Sequence, residues 1–141
     1  VAGGMGGVVG IRREDKNKWE RRVPLTPEHV AALVKDGVRV LIQPCNRRCF
    51  GNGEYAEAGA EVTEDLSLAS TILAVKEVPE DLLLRDRTYC FFSHTIKAQP
   101  SNMPLLDALL RKRVRMIDYE CITSTGIRGG PRLVMFGRFA G

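Results

Sequence analysis

Two histidines and one tryptophan are few for a chain of 141 residues, and the placing of its four cysteines excludes more than their number does. His29 and His94 are not spaced as metal ligands on one helix. The closest cysteine pair, Cys45-x-x-x-Cys49, has neither CxxC spacing nor a second Cys or His pair to complete a zinc site. No metal is therefore expected. No Gly-x-Gly-x-x-Gly follows a strand and opens a helix, so a complete dinucleotide-binding unit is missing; neither a phosphate-binding P-loop nor a Gly-x-Ser-x-Gly elbow occurs. Apolar runs stay short, as in Thr71-Ile72-Leu73-Ala74-Val75, far below the roughly 20 residues that span a bilayer. The start, Val1-Ala2-Gly3-Gly4-Met5-Gly6-Gly7, carries neither a secretion-signal nor a transit-peptide pattern. Charge of one sign is also scarce: 21 Lys+Arg against 17 Asp+Glu leave +4, with both signs interspersed, which does not demand nucleic acid.

What is present fits one globular α/β domain, long enough to bury a core without disulfides or metal. The four cysteines read as reduced thiols of an intracellular compartment, with Cys90 a small core hydrophobe. Strands are expected at Val8–Ile11, 38–43, 60–63, 71–75, 88–92, 115–118 and 132–136. Thr26-Pro27-Glu28 is a strong helix start, and Val30, Leu33 and Val34 then recur at helical spacing until Gly37 stops the run. A turn of helix is expected at 54–58, an amphipathic helix at 101–112, and short helices at 65–70 and 79–84. Strands alternating with helices imply a mostly parallel sheet, flavodoxin-like, with helices on both faces.

In such a sheet ligands sit beyond the strand C-termini. Residues from Arg12 onward, Lys76-Glu77, Ser93-His94 and Asp118-Tyr119-Glu120 should therefore converge on one edge. His29, in the first turn of a helix, reads as a surface residue. His94 closes a buried strand, where an imidazole either meets a ligand or is held by structural hydrogen bonds. Lys76 likewise either snorkels to solvent or, if buried, exchanges protons near neutral pH. The basic cluster from Arg12 to Arg22 is equally open between a solvated surface and an anion site; Arg111 to Arg115 reads as cations complementing a helix C-terminus.

The run from Val9 through Arg22-Val23-Pro24-Leu25-Thr26-Pro27 resembles the opening of the lysine-ketoglutarate reductases, the saccharopine-forming halves of bifunctional α-aminoadipic semialdehyde synthases. Gln43-Pro44-Cys45-Asn46-Arg47-Arg48, Phe91-Phe92-Ser93-His94-Thr95-Ile96-Lys97-Ala98-Gln99, and Ile117-Asp118-Tyr119-Glu120 with Phe136-Gly137-Arg138-Phe139-Ala140-Gly141 agree with it in order and spacing. A more distant likeness, through Arg22-Val23-x-Leu25-Thr26-Pro27 and Val75-Lys76-Glu77, reaches the N-terminal domains of alanine dehydrogenase and proton-translocating transhydrogenase.

The resemblance implies an NADPH-dependent reductive condensation. The ε-amine of L-lysine attacks the ketone of 2-oxoglutarate, water leaves, and the imine is reduced to saccharopine. It implies that Arg22 and Lys76 lie against substrate, with Arg132 a second carboxylate contact. Lys76 and His94 act as acid–base groups, and Glu77 and Glu120 sit beside them, where negative charge raises the pKa of a lysine or histidine. In the family the closing Phe-Gly-x-Phe/Tyr-Ala-Gly leads to a Rossmann domain that holds NADP. Residues 1–7 are thus expected as a flexible Gly-rich start and 8–141 as the substrate-side domain, with no cofactor-binding residue in this chain. A nucleotide-binding domain in cis or trans, a homo-oligomeric full enzyme and a place in the mitochondrial matrix rather than the cytosol follow from the same resemblance. Two other readings remain open: a non-catalytic interaction module, and an alanine dehydrogenase-like domain.

Overall fold

The computed structural model describes residues 6–137. All but Gly6 and Gly7 of the expected flexible start, and Arg138 to Gly141 of the closing motif, lie outside the described residues. Branched aliphatic runs form β1 (Val8–Ile11), β2 (Arg39–Ile42), β3 (Glu61–Val62), β4 (Thr71–Leu73), β5 (Thr88–Phe91) and β6 (Arg115–Asp118). Every pairing is parallel and the order is β3-β2-β1-β4-β5-β6. The helices are α1 (Pro27–Lys35), α2 (Asn52–Glu57) and α3 (Met103–Arg111).

Helix α1 starts where the sequence predicts. Thr26 Oγ1 accepts the His29 N–H and His29 Nδ1 accepts the Thr26 N–H, both at 3.3 Å, so the histidine closes a capping box usually completed by Glu or Gln. Successive residues of β2 point to opposite faces. Val40 and Ile42 join Ile11, Val30 and Tyr55 in the core beneath α1 and α2; Leu41 joins Ile72, Tyr89, Phe91, Leu105 and Leu109 beneath α3. Helices therefore cover both faces. Gly10 is glycine for a packing reason: a Cβ there would lie 3.0 Å from the Ala69 methyl.

Three local expectations change. Residues 65–70 form a bend and turn in place of a helix, because the Asp65 carboxylate accepts the Ser67 N–H at 2.8 Å and diverts the backbone. Between 79 and 84 only a 3-10 turn forms, at Glu80–Leu82. Residues 132–136 do not enter the sheet: Arg132 makes one isolated antiparallel bridge to Thr123, and Pro131 just before it has no N–H to donate.

Candidate functional site

Because all six strands are parallel, their C-termini share one edge, and the chain's winding reverses between β1 and β4. Such a switch point opens a crevice where α/β sheets take ligands. Glu14 spans it. Its two carboxylate oxygens accept the backbone N–H groups of Val75, at 2.6 Å, and Lys76, at 2.9 Å, so a side chain from the loop after β1 fixes the backbone that carries Lys76. Glu14 is only 6% exposed. Burial pushes its pKa up, against the two N–H donors and the Arg12 charge, which pull it down.

Arg22 meets this crevice through Glu20. Its Nε and Nη2 donate to the two Glu20 oxygens at 2.8 and 2.7 Å, and its guanidinium lies 4.9 Å from the Phe136 ring centroid. The Arg22 hydrogen bond outweighs burial and holds Glu20 below the ordinary carboxylate range; the Lys76 charge acts in the same direction. Phe92 packs edge-on against Tyr119 at 5.1 Å and Phe136 at 5.9 Å, giving the site an apolar wall. Burial pushes the Tyr119 phenol up, aided by Cys90 and Glu14, so it stays protonated at neutral pH.

His94 is held from the neighbouring strand. Asp118, at the end of β6, accepts the Ser93 N–H at 3.1 Å, the Ser93 hydroxyl, and the Glu120 N–H at 2.9 Å. That carboxylate ties the turns after β5 and β6 together, with His94 at the left-handed φ of 59°. The Phe92 N–H donates to the Val75 carbonyl at 3.0 Å, so Lys76 and His94 leave adjacent, hydrogen-bonded strand ends. The His94 Nδ1 is buried and has no partner among the described residues; the same holds for Glu120 Oε2.

The expected acids find other company. Glu77 pairs with Lys16. Glu120 Oε1 lies 3.6 Å from Lys97 Nζ and 3.5 Å from Arg132 Nη1. Glu120 and Arg132 line an open groove of about 640 Å³ with Ile96, Thr123 and Arg128, while Lys76 and His94 lie outside its lining. Glu14, Glu20 and Asp118 were not singled out as site residues from the sequence. Asp118 stands in the Ile117-Asp118-Tyr119-Glu120 stretch at the end of a strand and Glu14 and Glu20 in the charged segment after β1, but nothing in the sequence marks what each would hold.

Among the described residues no group of three or more His, Cys, Asp or Glu is placed to hold a metal. No helix is long and apolar enough to cross a membrane. β1 runs into the long 12–26 loop before α1, and that crossing contains no glycine.

Fold and site together define a parallel α/β domain with charged residues gathered at its switch point. Residues 10–141 match the family model "Alanine dehydrogenase/PNT, N-terminal domain", and the chain belongs to that family. It is similar to alpha-aminoadipic semialdehyde synthase, mitochondrial, of Bos taurus, 51% identical over 134 residues that make up 95% of this chain and 14% of that protein. It is also 30% identical over 139 residues to saccharopine dehydrogenase (NAD(+), L-lysine-forming) of Emericella nidulans, covering 94% of this chain and 36% of that one. Among solved structures, an L-alanine dehydrogenase superposes with a TM-score of 0.66 at 27% identity, over 80% of this chain and 32% of its own. The chain thus spans a minor part of each of these relatives, 14% of the bovine one. The expected family and fold are both found.

Proposed function

We propose that this chain is the substrate-side domain of a lysine-ketoglutarate reductase, joining L-lysine to 2-oxoglutarate to give saccharopine. The observation that carries the reading is the switch-point crevice, where Glu14 pins the Lys76 backbone and Glu20 draws Arg22 to the same place. With the Nε edge of Arg22 held by Glu20, its Nη1/Nη2 edge is free to fork onto a substrate carboxylate. Lys76 Nζ and the His94 ring move the protons that carbinolamine formation and dehydration require. Phe92, Tyr119 and Phe136 exclude water from that exchange.

A second anion position favours this reading over an alanine dehydrogenase-like one. Arg132 and Lys97 flank Glu120 beside the large groove, and two substrates carrying three carboxylates need more than one cationic contact. The nucleotide, NADPH in this reading, is held by a separate domain. The bovine relative's name supports a mitochondrial location.

Calorimetric titration of the 141-residue chain with 2-oxoglutarate and with saccharopine tests the proposal. Binding of at least one is expected, without NADPH oxidation, and Arg22→Ala should weaken it by about tenfold or more, the loss of a charged hydrogen-bonded contact. Absence of binding by both ligands would sink the enzyme reading and leave an interaction module.

A further inference from the structure

Outside the crevice, the loops after β1 and β2 meet in a second arrangement that the proposed reaction does not use. The stretch Trp19-Glu20-Arg21-Arg22 alternates: Glu20, 7% exposed, pairs with Arg22 at the crevice, while Trp19 and Arg21 face outward. Trp19 is 77% exposed, the most of any large apolar side chain among the described residues. The two loops are stitched together. Arg21 Nε donates to the Arg47 carbonyl at 3.1 Å, the Cys49 N–H to the Arg21 carbonyl at 3.0 Å, and Arg47 Nη2 to the Glu14 carbonyl at 3.2 Å. Lys18, Trp19, Arg21, Asn46 and Arg47 line an open cavity of about 270 Å³ between them. We propose that this rim binds a nucleoside phosphate, its base stacked on Trp19 and its phosphate held by Lys18, Arg21 and Arg47.

Charge and shape select this ligand class. Among the described residues none of Lys18, Arg21 and Arg47 forms an ion pair, whereas Arg12, Arg13, Lys16 and Arg22 on the same loop each have a carboxylate partner. Three unneutralised cations in one cavity favour an anion. The Lys18 ammonium lies 4.8 Å from the indole centroid, which orients the ring and sets a positive charge beside it. A flat ring with a negative group attached satisfies both features at once, because a base stacks on an aromatic face whatever its identity and arginine forks match phosphate oxygens. The cavity lies at the small end of ligand sites, room for one nucleotide unit. Its five lining residues are far fewer than the roughly 20 to 30 that a stable protein interface takes on each side.

Trp19 is the chain's one tryptophan, so its fluorescence reports on this site. AMP added to the 141-residue chain should quench it saturably, with adenosine and inorganic phosphate each binding about tenfold more weakly, since each keeps half of the recognition. Trp19→Leu, followed by calorimetry, should weaken AMP about tenfold, and Arg21→Gln several-fold. Should Arg21→Gln fail to fold, raising salt from about 0.05 to about 0.5 M on the unaltered chain must weaken AMP in its place. NADP⁺ is the second nucleotide probe. Tighter binding than AMP makes the reaction's own cofactor the source, a case that rests on the reductase reading; AMP as the tighter ligand makes it a free nucleotide, which does not. The proposal is overturned if neither nucleotide quenches, if adenosine or phosphate binds as tightly as AMP, or if a polyglutamate peptide binds more tightly than either. Displacement of AMP by 2-oxoglutarate also overturns it, by placing the nucleotide in the crevice. Failure of 2-oxoglutarate and saccharopine to bind would leave this site untouched.

Discussion

The two ends of the parallel sheet are built on different terms. At the C-terminal end sit the four buried polar or charged residues found among the described residues, Arg12, Glu14, Arg48 and Ser93, on the segments leaving β1, β2 and β5. At the N-terminal end the charges are exposed: Arg39 pairs with Glu61 across the starts of β2 and β3, and Arg113 Nε lies 2.7 Å from Asp86 before β6 and β5. Both ends close the same hydrogen-bonded sheet, so folding by itself does not call for polar burial at either. Burying a carboxylate and two guanidinium groups on one side is what the ligand-holding edge proposed above requires.

The sharpest way to break this contrast is to remove chemistry while leaving the fold. In the complete enzyme, Lys76→Met and His94→Ala should each lower turnover by about 10²- to 10⁴-fold, the range for a positioned acid or base. Urea unfolding of the same variants should shift little, because both residues are only half-buried. Turnover unchanged in both would remove the acid–base roles.

Next in size is Asp118→Ala. It deprives the buried Ser93 N–H of its acceptor, leaves the Ser93 hydroxyl only Thr95 Oγ1 to donate to, and frees the turn that sets His94. Destabilisation of about 2–3 kcal/mol is expected, the penalty for orphaned buried donors, and chemical denaturation measures it directly.

Glu14→Gln is smaller and carries a pH signature. The amide still accepts from one of the Val75 and Lys76 N–H groups but presents its own NH₂ to the other, a loss of about 1–2 kcal/mol. Because burial raises the folded Glu14 pKa above its ordinary value of 4.5, the folded state keeps a proton that the unfolded state has released. Stability from this group therefore falls as pH rises from the ordinary value to the folded one, then levels off. The difference in stability between parent and variant, followed across that window, should carry this slope; a flat difference would mean that Glu14 is not desolvated.

How far the site was legible follows from what each residue depends on. Lys76 and His94 close apolar runs that read as strands, so alternation alone placed them on one edge. Arg22 stood in a basic run of unclear purpose, and only the likeness to a known family lifted it out. Glu14 and Asp118 act through backbone N–H groups 61 and 25 positions away in the chain. Contacts of that range depend on strand order, which no local pattern encodes. The same reason explains the wrong helix at 65–70, where composition favoured helix and one Asp65 hydrogen bond decided otherwise. The segment 132–136 has the branched residues of a strand but forms only the single bridge from Arg132 to Thr123, and its Leu133 and Met135 remain exposed.

The smallest expected effect is also the control for all the others. Arg39→Ala breaks the ion pair with Glu61 at the N-terminal end, where both side chains are about half exposed. Water already solvates the two charges and salt screens them, while holding two long side chains in one geometry takes entropy that largely offsets their attraction. The pair does lower the Glu61 pKa, so its contribution is present above the ordinary carboxylate value and disappears as pH falls through the folded one. The urea midpoint at neutral pH should therefore stay within measurement scatter, and ligand binding should not change at all. A shift as large as that of Glu14→Gln would mean that polar contacts at the two ends are equivalent, and the case for a ligand-built edge would lose its main support.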